Sequence, residues 1–337
     1  MTSIAAAAQA QVDALAASAT ELFGELASRL DFASLLDQQG RLMQLSTALP
    51  VLALVPERMV MREAVNEPFE LVLDALSTSR YFELKTLIGQ QMTLSLLGSD
   101  GAYHPWHGYV FQAAQLGTDG GLARYRLHMR PWLSLLDLRR DSRVWQDQTA
   151  LQIAEAVFKR YPQAQYALQV TETLRCRSLC VQYRETDLDF VRRLLAEEGL
   201  SWHFVHLDGE AARSADASGQ ARHQLVITDA DSTFDALGPI RFTGLHATAV
   251  LEGLEDPITA FSAERRLTPN AVALGSWDYR QLSGTAASRA SALDLGDVPT
   301  LELYDGAGAY RYQDGAGAER ARSEEHTSEL QSRVDIS

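Results

Sequence analysis

The sequence of 337 residues predicts a β-rich α+β fold with a helical extension at its N-terminus. Three observations support this class. Apolar and polar residues alternate in many short segments from residue 41 onward, which is the period of strands with one buried face. Clusters of glycine and aspartate separate these segments, as in turns. Each of two successive β-rich halves also contains a segment of helical periodicity.

Residues 1–40 are rich in alanine and contain no proline. Apolar side chains recur every three or four residues at Val12, Leu15, Ala19, Leu22, Leu26 and Leu30. This spacing predicts one or more amphipathic helices. Such a helix packs against its own domain, is solvated, or forms the seam of a short coiled coil, and the sequence leaves these alternatives open.

Residues 41–146 are predicted to form a first antiparallel barrel. Strand alternation occurs around four apolar positions, Leu71, Leu94, Tyr109 and Leu127. Turn residues lie between the strands at Gly98–Gly101 and Thr118–Gly121. About six short strands within roughly a hundred residues close most simply into a barrel.

Residues 147–168 are predicted to form a linking helix, which Thr149 caps and Tyr161-Pro162 ends. A second β-rich half follows at residues 169–300, with a polar surface loop predicted over Asp208–Gln220. Short strands are predicted at 223–229, 240–242, 260–266 and 301–304. Two Asp-Gly-Ala-Gly repeats in residues 301–322 are interpreted as turns, because a calcium-binding array needs more copies.

The segment from Tyr183 to His206 combines a helix, a glycine and a strand. Thr186 is placed to cap the helix, and Gly199 is placed to end it in a left-handed conformation. The apolar face of the helix is formed by Leu188, Val191, Leu194 and Leu195. The residues after Gly199 alternate as in a half-buried strand.

This segment resembles the signature of the Vgr family, the valine-glycine-repeat spike proteins of type VI secretion systems. Two further stretches are similar to that family: Asn66–Leu96 resembles its opening barrel, and Arg130–Thr149 resembles the link that leaves this barrel. The resemblance implies two related antiparallel β-barrels with associated helices, as in phage tail hubs. It also implies that residues 301–322 begin a connector to an OB-like domain and a needle.

From the resemblance we expect a structural protein with no catalytic activity. It implies a homotrimeric hub that docks on the hexameric Hcp tube, meets baseplate proteins, and carries an effector or a PAAR tip protein through its C-terminal part. The expected location is the cytoplasm during assembly and the outside of the cell after contraction. Two alternatives are a contractile phage tail hub of the late-control-protein class and an enzyme domain that acts on the cell wall.

Residues 323–337 differ from the rest of the chain. From Ser323 to Ser332 they read SEEHTSELQS, which together with Arg322 resembles the translation of a common sequencing-adapter oligonucleotide. We therefore expect this tail to be non-native and the native frame to be cut near Ala321. A genuine disordered polar tail is the alternative.

Composition argues against several classes of protein. The formal net charge is −14, and the absence of a basic stripe argues against binding to nucleic acid. No apolar run approaches the roughly 20 residues of a membrane helix, so no stable membrane anchor is expected. The start of the chain lacks the basic region of a signal peptide. Cys176 and Cys180 are predicted to lie about 13 Å apart on one strand, too far for a disulfide, as suits the cytosol.

Two histidine pairs are candidates for a metal site, although an ordinary structural role is the commoner case for each. His203 and His206 lie three residues apart on a predicted strand and therefore point to opposite faces, which makes a poor chelate. His104 and His107 flank a Pro-Trp pair that could bring them together. That second pair has no acidic or thiol partner nearby in the sequence.

Glu197 and Glu198 are the remaining candidates, as an acid/base couple. Adjacent helix positions do not face each other, so both carboxylates are predicted to be solvated charges at the end of a helix. The sequence contains no G-x-S-x-G, H-E-x-x-H, C-x-x-C or P-loop motif. No catalytic, cofactor-binding or metal-binding residue is therefore assigned, and no cofactor is expected.

Overall fold

The computed structural model of the protein describes residues 41–50, 53–98, 100–119, 121–229, 261–263, 267, 269–278, 283–290, 298–305 and 334–336. The predicted N-terminal extension, the predicted strand at 240–242 and the connector turns beyond Asp305 lie outside these residues. The chain groups into two compact units. The first contains residues up to Met61, Leu71–Leu97 and Tyr109–Met129. The second contains Arg62–Glu70, Gly98–Gly108 and the chain from Arg130 onward.

The first unit contains most of a curled, six-stranded antiparallel sheet. Its strands are β1 (Met43–Ser46), β2 (Val55–Ala64), β3 (Glu67–Ser77), β4 (Gln91–Leu97), β5 (Tyr103–Asp119) and β6 (Leu122–Arg130). They pair in the order β1-β4-β5-β6-β3-β2, and a short 3₁₀ helix, Leu84–Thr86, precedes β4. The four strands predicted around residues 71, 94, 109 and 127 are thereby confirmed.

The buried face of this sheet follows directly from the alternation in the sequence. Leu71 lies opposite Met129, Leu73 opposite Leu127, and Ala75 opposite Tyr125, and all six side chains are buried. Cross-strand pairs of this kind are the unit from which a sheet gains stability. Between them, Asp74 lies opposite Arg126 and binds it through two hydrogen bonds of 2.7 and 2.9 Å.

The second unit begins its helices and strands after the 3₁₀ helix Trp132–Leu138. The elements that follow are β7 (Arg140–Trp145), α1 (Ala150–Phe158), β8 (Tyr166–Gln169), β9 (Cys180–Thr186), α2 (Asp187–Glu197), β10 (Ser201–His206), α3 (Gly209–Ser218) and β11 (His223–Thr228). Strands β10, β11 and β8 form one sheet, in which β11 is antiparallel to β10 and parallel to β8. Strands β7 and β9 form a separate antiparallel pair.

Five more strands complete the described part of the chain: β12 (Phe261–Ala263), β13 (Ala271–Asp278), β14 (Ser283–Ala290), β15 (Glu302–Asp305) and β16 (Val334–Ile336). Strand β13 pairs with β14 and β15, and β12 pairs with β16. The structure thus places a strand in the tail that we expect to be non-native. The origin of that tail and the predicted domain boundaries stay predictions.

The two predicted helix starts are confirmed by their hydrogen bonds. The Thr149 hydroxyl accepts from the Gln152 backbone N–H at 3.2 Å, and the Gln152 side chain accepts from the Thr149 backbone N–H at 2.9 Å. At α2 the Thr186 hydroxyl accepts from the backbone N–H of Asp189 at 3.0 Å. Caps of this type satisfy N–H groups that the first helical turn leaves without partners. Gly199 has the predicted left-handed conformation, with φ of 70°.

Two predictions for the second half are wrong. The loop predicted over Asp208–Gln220 is mostly helical, because its many alanines favour a helix and Gly219, at φ of 74°, ends α3. Cys176 lies before β9 rather than on it, while Cys180 begins the strand. Both cysteines are free, as predicted.

The β-rich α+β class is confirmed. A second barrel over residues 169–300 stays a prediction, because residues 230–260 lie outside the described part of the chain. No helix within the described ranges combines the length and the hydropathy needed to cross a membrane.

Candidate functional site

A histidine–aromatic cluster lies in the second unit, formed by Phe69, Trp106, His107, Phe204, His206 and His223. His206 ends β10 and His223 begins β11, and the register of the two strands places these residues directly opposite each other. Their ring centroids are 6.2 Å apart, and that of His107 lies 6.0 Å from that of His206. The edges of Phe69 approach both His206 and His223, with centroids at 5.2 and 5.5 Å.

Hydrogen bonds to the backbone fix the tautomer of each histidine. The backbone N–H of His107 donates to Nδ1 of His206 at 3.0 Å, and that of Trp132 donates to Nε2 of His223 at 2.8 Å. His107 in turn donates from Nε2 to the carbonyl of Leu207 at 2.6 Å. A nitrogen that accepts an N–H carries no proton, so these hydrogen bonds require neutral rings at His206 and His223.

Burial keeps these rings neutral. It lowers the pKa of His107, and burial together with the neighbouring His107 lowers the pKa of His206 to about 3. Burial likewise lowers the pKa of His223 far below its ordinary value, with His206 and His107 adding to the effect. A charged ring is unfavourable here because the buried site lacks the water that would solvate the charge.

One nitrogen of each clustered histidine is engaged with a backbone group, as described above. In the described part of the chain, no group of three or more His, Cys, Asp or Glu residues is placed to hold a metal ion. His104 does not join the cluster, because its Nε2 lies 3.0 Å from a carboxylate oxygen of Asp100. The expectation that His104 has no nearby acidic partner was wrong, since the turn at Gly98–Gly101 brings Asp100 back to it.

An arginine–glutamate cluster ties α2 to the segment before β9. The Arg177 side chain is only 5% exposed, and its Nη1 lies 2.5 Å from Glu197. Its Nε and Nη2 both donate to Glu198. The prediction that Glu197 and Glu198 are solvated is therefore wrong, because the side chains are only 20% and 13% exposed. Both carboxylates are occupied by a buried cation, so the pair does not form a free acid/base couple.

Asp187 at the start of α2 is fully buried and bound on both oxygens. Tyr161 donates its hydroxyl to Oδ2 at 2.7 Å, and Gln182 donates its amide to Oδ1 at 2.8 Å. Arg160 adds an ion pair at 3.4 Å. A buried carboxylate satisfied in this way holds elements of the fold together.

The pair of strands β7 and β9, hereafter the ribbon, has two different faces. On its inner face Cys180 and Gln182 are buried, and Trp145 stacks on Phe190 of α2 with centroids 6.4 Å apart. On its outer face Val144 and Tyr183 are 62% and 66% exposed. Exposed apolar side chains on one face of a strand pair are typical of a surface that binds another chain.

Comparison with known proteins identifies the family. The family model described as phage tail baseplate hub (GPD) matches residues 62–335. The chain belongs to this family.

The relatives of this baseplate-hub chain include spike proteins of Pseudomonas aeruginosa. The type VI secretion system spike protein VgrG1b is 28% identical over 290 residues, which cover 86% of this chain and 38% of the relative. VgrG4b is 31% identical over 252 residues, which cover 74% of this chain and 29% of the relative. The chain thus spans less than half the length of these relatives.

A solved structure supports the same fold for the baseplate-hub chain. The Escherichia coli c3393 protein, described as a component of the type VI secretion system similar to the T4 tail proteins gp27 and gp5, superposes with a TM-score of 0.50. It is 20% identical, and the match covers 68% of this chain and 55% of that one. The predicted resemblance to phage tail hubs and to the Vgr family is confirmed.

Sequence reasoning identified His107 and His206 but paired them with the wrong neighbours. It missed His223 and Arg177, which complete the two clusters. The only local signal was the strand pattern at 201–206 and 223–228, since a hairpin-like pairing of these strands would bring their ends together. The prediction that the chain has no catalytic, cofactor or metal residue stays a prediction.

Proposed function

We propose that this chain is the hub portion of a type VI secretion spike. In this role three copies form a trimeric adaptor that joins the hexameric Hcp tube to a piercing needle and leaves the cell with the tube. The family match over residues 62–335, together with the spike proteins among its relatives, carries the proposal. The role is mechanical, and the clusters around His206 and Arg177 are consistent with it because their polar groups bind parts of the chain itself.

A hexameric tube and a threefold needle need an adaptor with matching symmetry. A subunit with two similar barrels presents six near-equivalent surfaces when three copies assemble, and closed symmetry of this kind suits such a junction. Baseplate proteins would contact this hub, and an effector or a PAAR tip protein would attach through the C-terminal part of the spike. Assembly takes place in the cytoplasm in this proposal, before export through the apparatus.

Deletion of the gene in its source bacterium tests the proposal. The tube protein is expected to disappear from the culture medium and to return when the intact gene is restored, while its amount inside the cells stays unchanged. Unaltered release of the tube protein would contradict a role as spike.

A contractile phage tail hub is the second candidate, favoured by the description of the family model itself. Neighbouring genes distinguish the two: tube, sheath and effector genes accompany a secretion spike, whereas capsid and tail genes accompany a phage hub. A cell-wall enzyme is the remaining alternative. Turnover of purified cell wall that a single carboxylate substitution abolishes would favour it over a mechanical role.

A further inference from the structure

Strand β10 lies at the edge of its sheet. Within the described part of the chain its only strand partner is β11, which has β8 on its other side. Directly after β10 the Leu207 N–H donates to the carbonyl of Arg222 at 2.8 Å, so the odd-numbered residues direct their backbone groups to β11. The backbone groups of Trp202, Phe204 and His206 therefore point to the outer edge. Such an edge is a template on which a strand of another chain can pair.

Asn66 occupies this outer edge at Trp202. It lies in the turn between β2 and β3 and donates its backbone N–H to the Trp202 carbonyl at 2.9 Å. Its side-chain oxygen accepts the Trp202 N–H at 2.8 Å. The residue has a left-handed conformation with φ of 63°, which asparagine adopts more readily than most residues. Asn66 alone thus satisfies both backbone groups of Trp202, and its side-chain oxygen takes the place of a carbonyl from a neighbouring strand.

His107 occupies the other end of the same edge. Its backbone N–H donates to Nδ1 of His206 at 3.0 Å, and its Nε2 donates to the carbonyl of Leu207 at 2.6 Å. Trp202 and Leu207 are five positions apart, which on a strand is about 17 Å. This is the length of an ordinary strand, so contacts at both ends leave no uninterrupted edge of that length for a strand from outside.

We infer that Asn66 and His107 form an edge guard, which prevents β10 from pairing with a strand of another chain. Each of the two residues makes one of its contacts through a side chain, and neither continues as a strand along β10. They precede their partners Trp202 and His206 by 136 and 99 positions, so the edge is protected only after these distant segments have docked. The inference concerns the single subunit and does not depend on its role as a spike.

Amide hydrogen exchange of the full chain tests the contact at Trp202. Asn66→Gly removes the side-chain acceptor, and glycine adopts the left-handed conformation without strain. The Trp202 amide is expected to exchange about tenfold faster in this variant, as for the loss of one hydrogen bond. The matched control Asn66→Asp keeps an acceptor oxygen and should exchange like the parent. Unchanged exchange at Trp202 in Asn66→Gly would overturn the assigned contact.

Association of the purified full chain tests the edge guard itself. The double variant Asn66→Gly, His107→Ala opens both ends of the edge, and its light scattering and thioflavin T fluorescence are expected to rise about tenfold faster than those of the parent. Adding Val205→Lys, at an exposed position of β10, is expected to restore the slow rate, because a lysine on an edge strand opposes pairing. Thr186→Ala lowers stability at the start of α2 and should associate at the rate of the parent.

Three results would overturn the inference. The first is an equal rate of association for the double variant and the parent. The second is an equal acceleration by Thr186→Ala, because lost stability rather than an open edge would then cause the association. The third is a double variant that associates equally fast with and without Val205→Lys, since pairing along β10 would then not be the route.

Discussion

The histidine–aromatic cluster and the arginine–glutamate cluster solve the same structural problem in opposite ways. Each links segments far apart in the sequence through buried polar side chains. The first does so with neutral rings that accept backbone N–H groups, and the second with full charges that neutralise one another. A neutral cluster is stable only while its rings stay uncharged, whereas an ion-pair cluster fails when one partner is removed. The two are therefore expected to respond to different perturbations.

Removing the buried cation is expected to have the largest effect. Arg177→Met removes the buried cation that binds Glu197 and Glu198, although Arg193 still donates to Glu197 at 3.0 Å. The free energy of unfolding should fall by about 3 kcal/mol. Urea unfolding measures this change. The matched control is Arg192→Met, an exposed arginine on α2, for which a change within about 0.5 kcal/mol is expected. Equal effects of the two substitutions would contradict the account of this cluster.

Acid is expected to weaken the neutral cluster before it affects the carboxylates. The unfolded chain takes up protons on histidine below about pH 6.5, whereas His206 in the folded state does so only near its pKa of about 3. Stability therefore falls as the pH drops below about 6.5, and His206 alone accounts for about 2 kcal/mol between pH 7 and pH 5. By contrast, Arg126 lowers the pKa of Asp74, so the contribution of that carboxylate is lost only below about pH 4.

The double variant His206→Asn, His223→Gln separates these contributions. The Asn oxygen can replace Nδ1 and the Gln oxygen can replace Nε2 as acceptor, so the hydrogen bonds from His107 and Trp132 are kept while the titration is removed. We expect a flatter stability profile between pH 7 and pH 5 in urea unfolding. The control His104→Asn, at an exposed position, should change the free energy of unfolding at pH 7 by less than about 0.5 kcal/mol. A double variant as acid-sensitive as the parent would show that these rings do not set the response.

The cap of α2 is expected to contribute less than either cluster. Thr186→Ala removes the acceptor for the Asp189 N–H and should lower the free energy of unfolding by about 1 kcal/mol, while Thr186→Ser should retain most of it. Thermal unfolding at neutral pH measures both. If Thr186→Ser and Thr186→Ala lower the free energy of unfolding equally, the hydroxyl is not the stabilising group.

The outer face of the ribbon is expected to show the smallest effect on stability. Val144→Asp should change the free energy of unfolding of the separated chain by less than about 0.5 kcal/mol, since the side chain is 62% exposed. Trp145→Ala on the inner face should lose about 3 kcal/mol, because its ring stacks on Phe190. If Val144→Asp and Trp145→Ala lowered the free energy of unfolding by similar amounts, the ribbon would not have one packing face and one exposed face.

Local patterns predicted the elements but not the contacts between them. The cap at Thr186, the stop at Gly199 and the strand that follows were readable because each depends on residues a few positions apart. The prediction of a loop over Asp208–Gln220 was wrong. It followed the glycines and serines of the segment, whereas the alanines between them favour a helix.

The contacts within the two clusters could not be predicted from the sequence, for a physical reason. His107 and His206 are separated by 99 positions, and nothing in the spacing of either indicates the other. Arg177 lies in an irregular segment without periodicity, so the sequence offered no reason to place it against Glu197 and Glu198. Long-range polar contacts of this kind depend on the completed fold, whereas caps and alternation depend on neighbours.

Electron cryomicroscopy of the assembly isolated through a tagged copy of the gene product in its source bacterium tests the central claim most directly. The account predicts three copies of this chain around a threefold axis, seated on the end of a sixfold tube. A single copy, a different symmetry, or an assembly without a tube would contradict it.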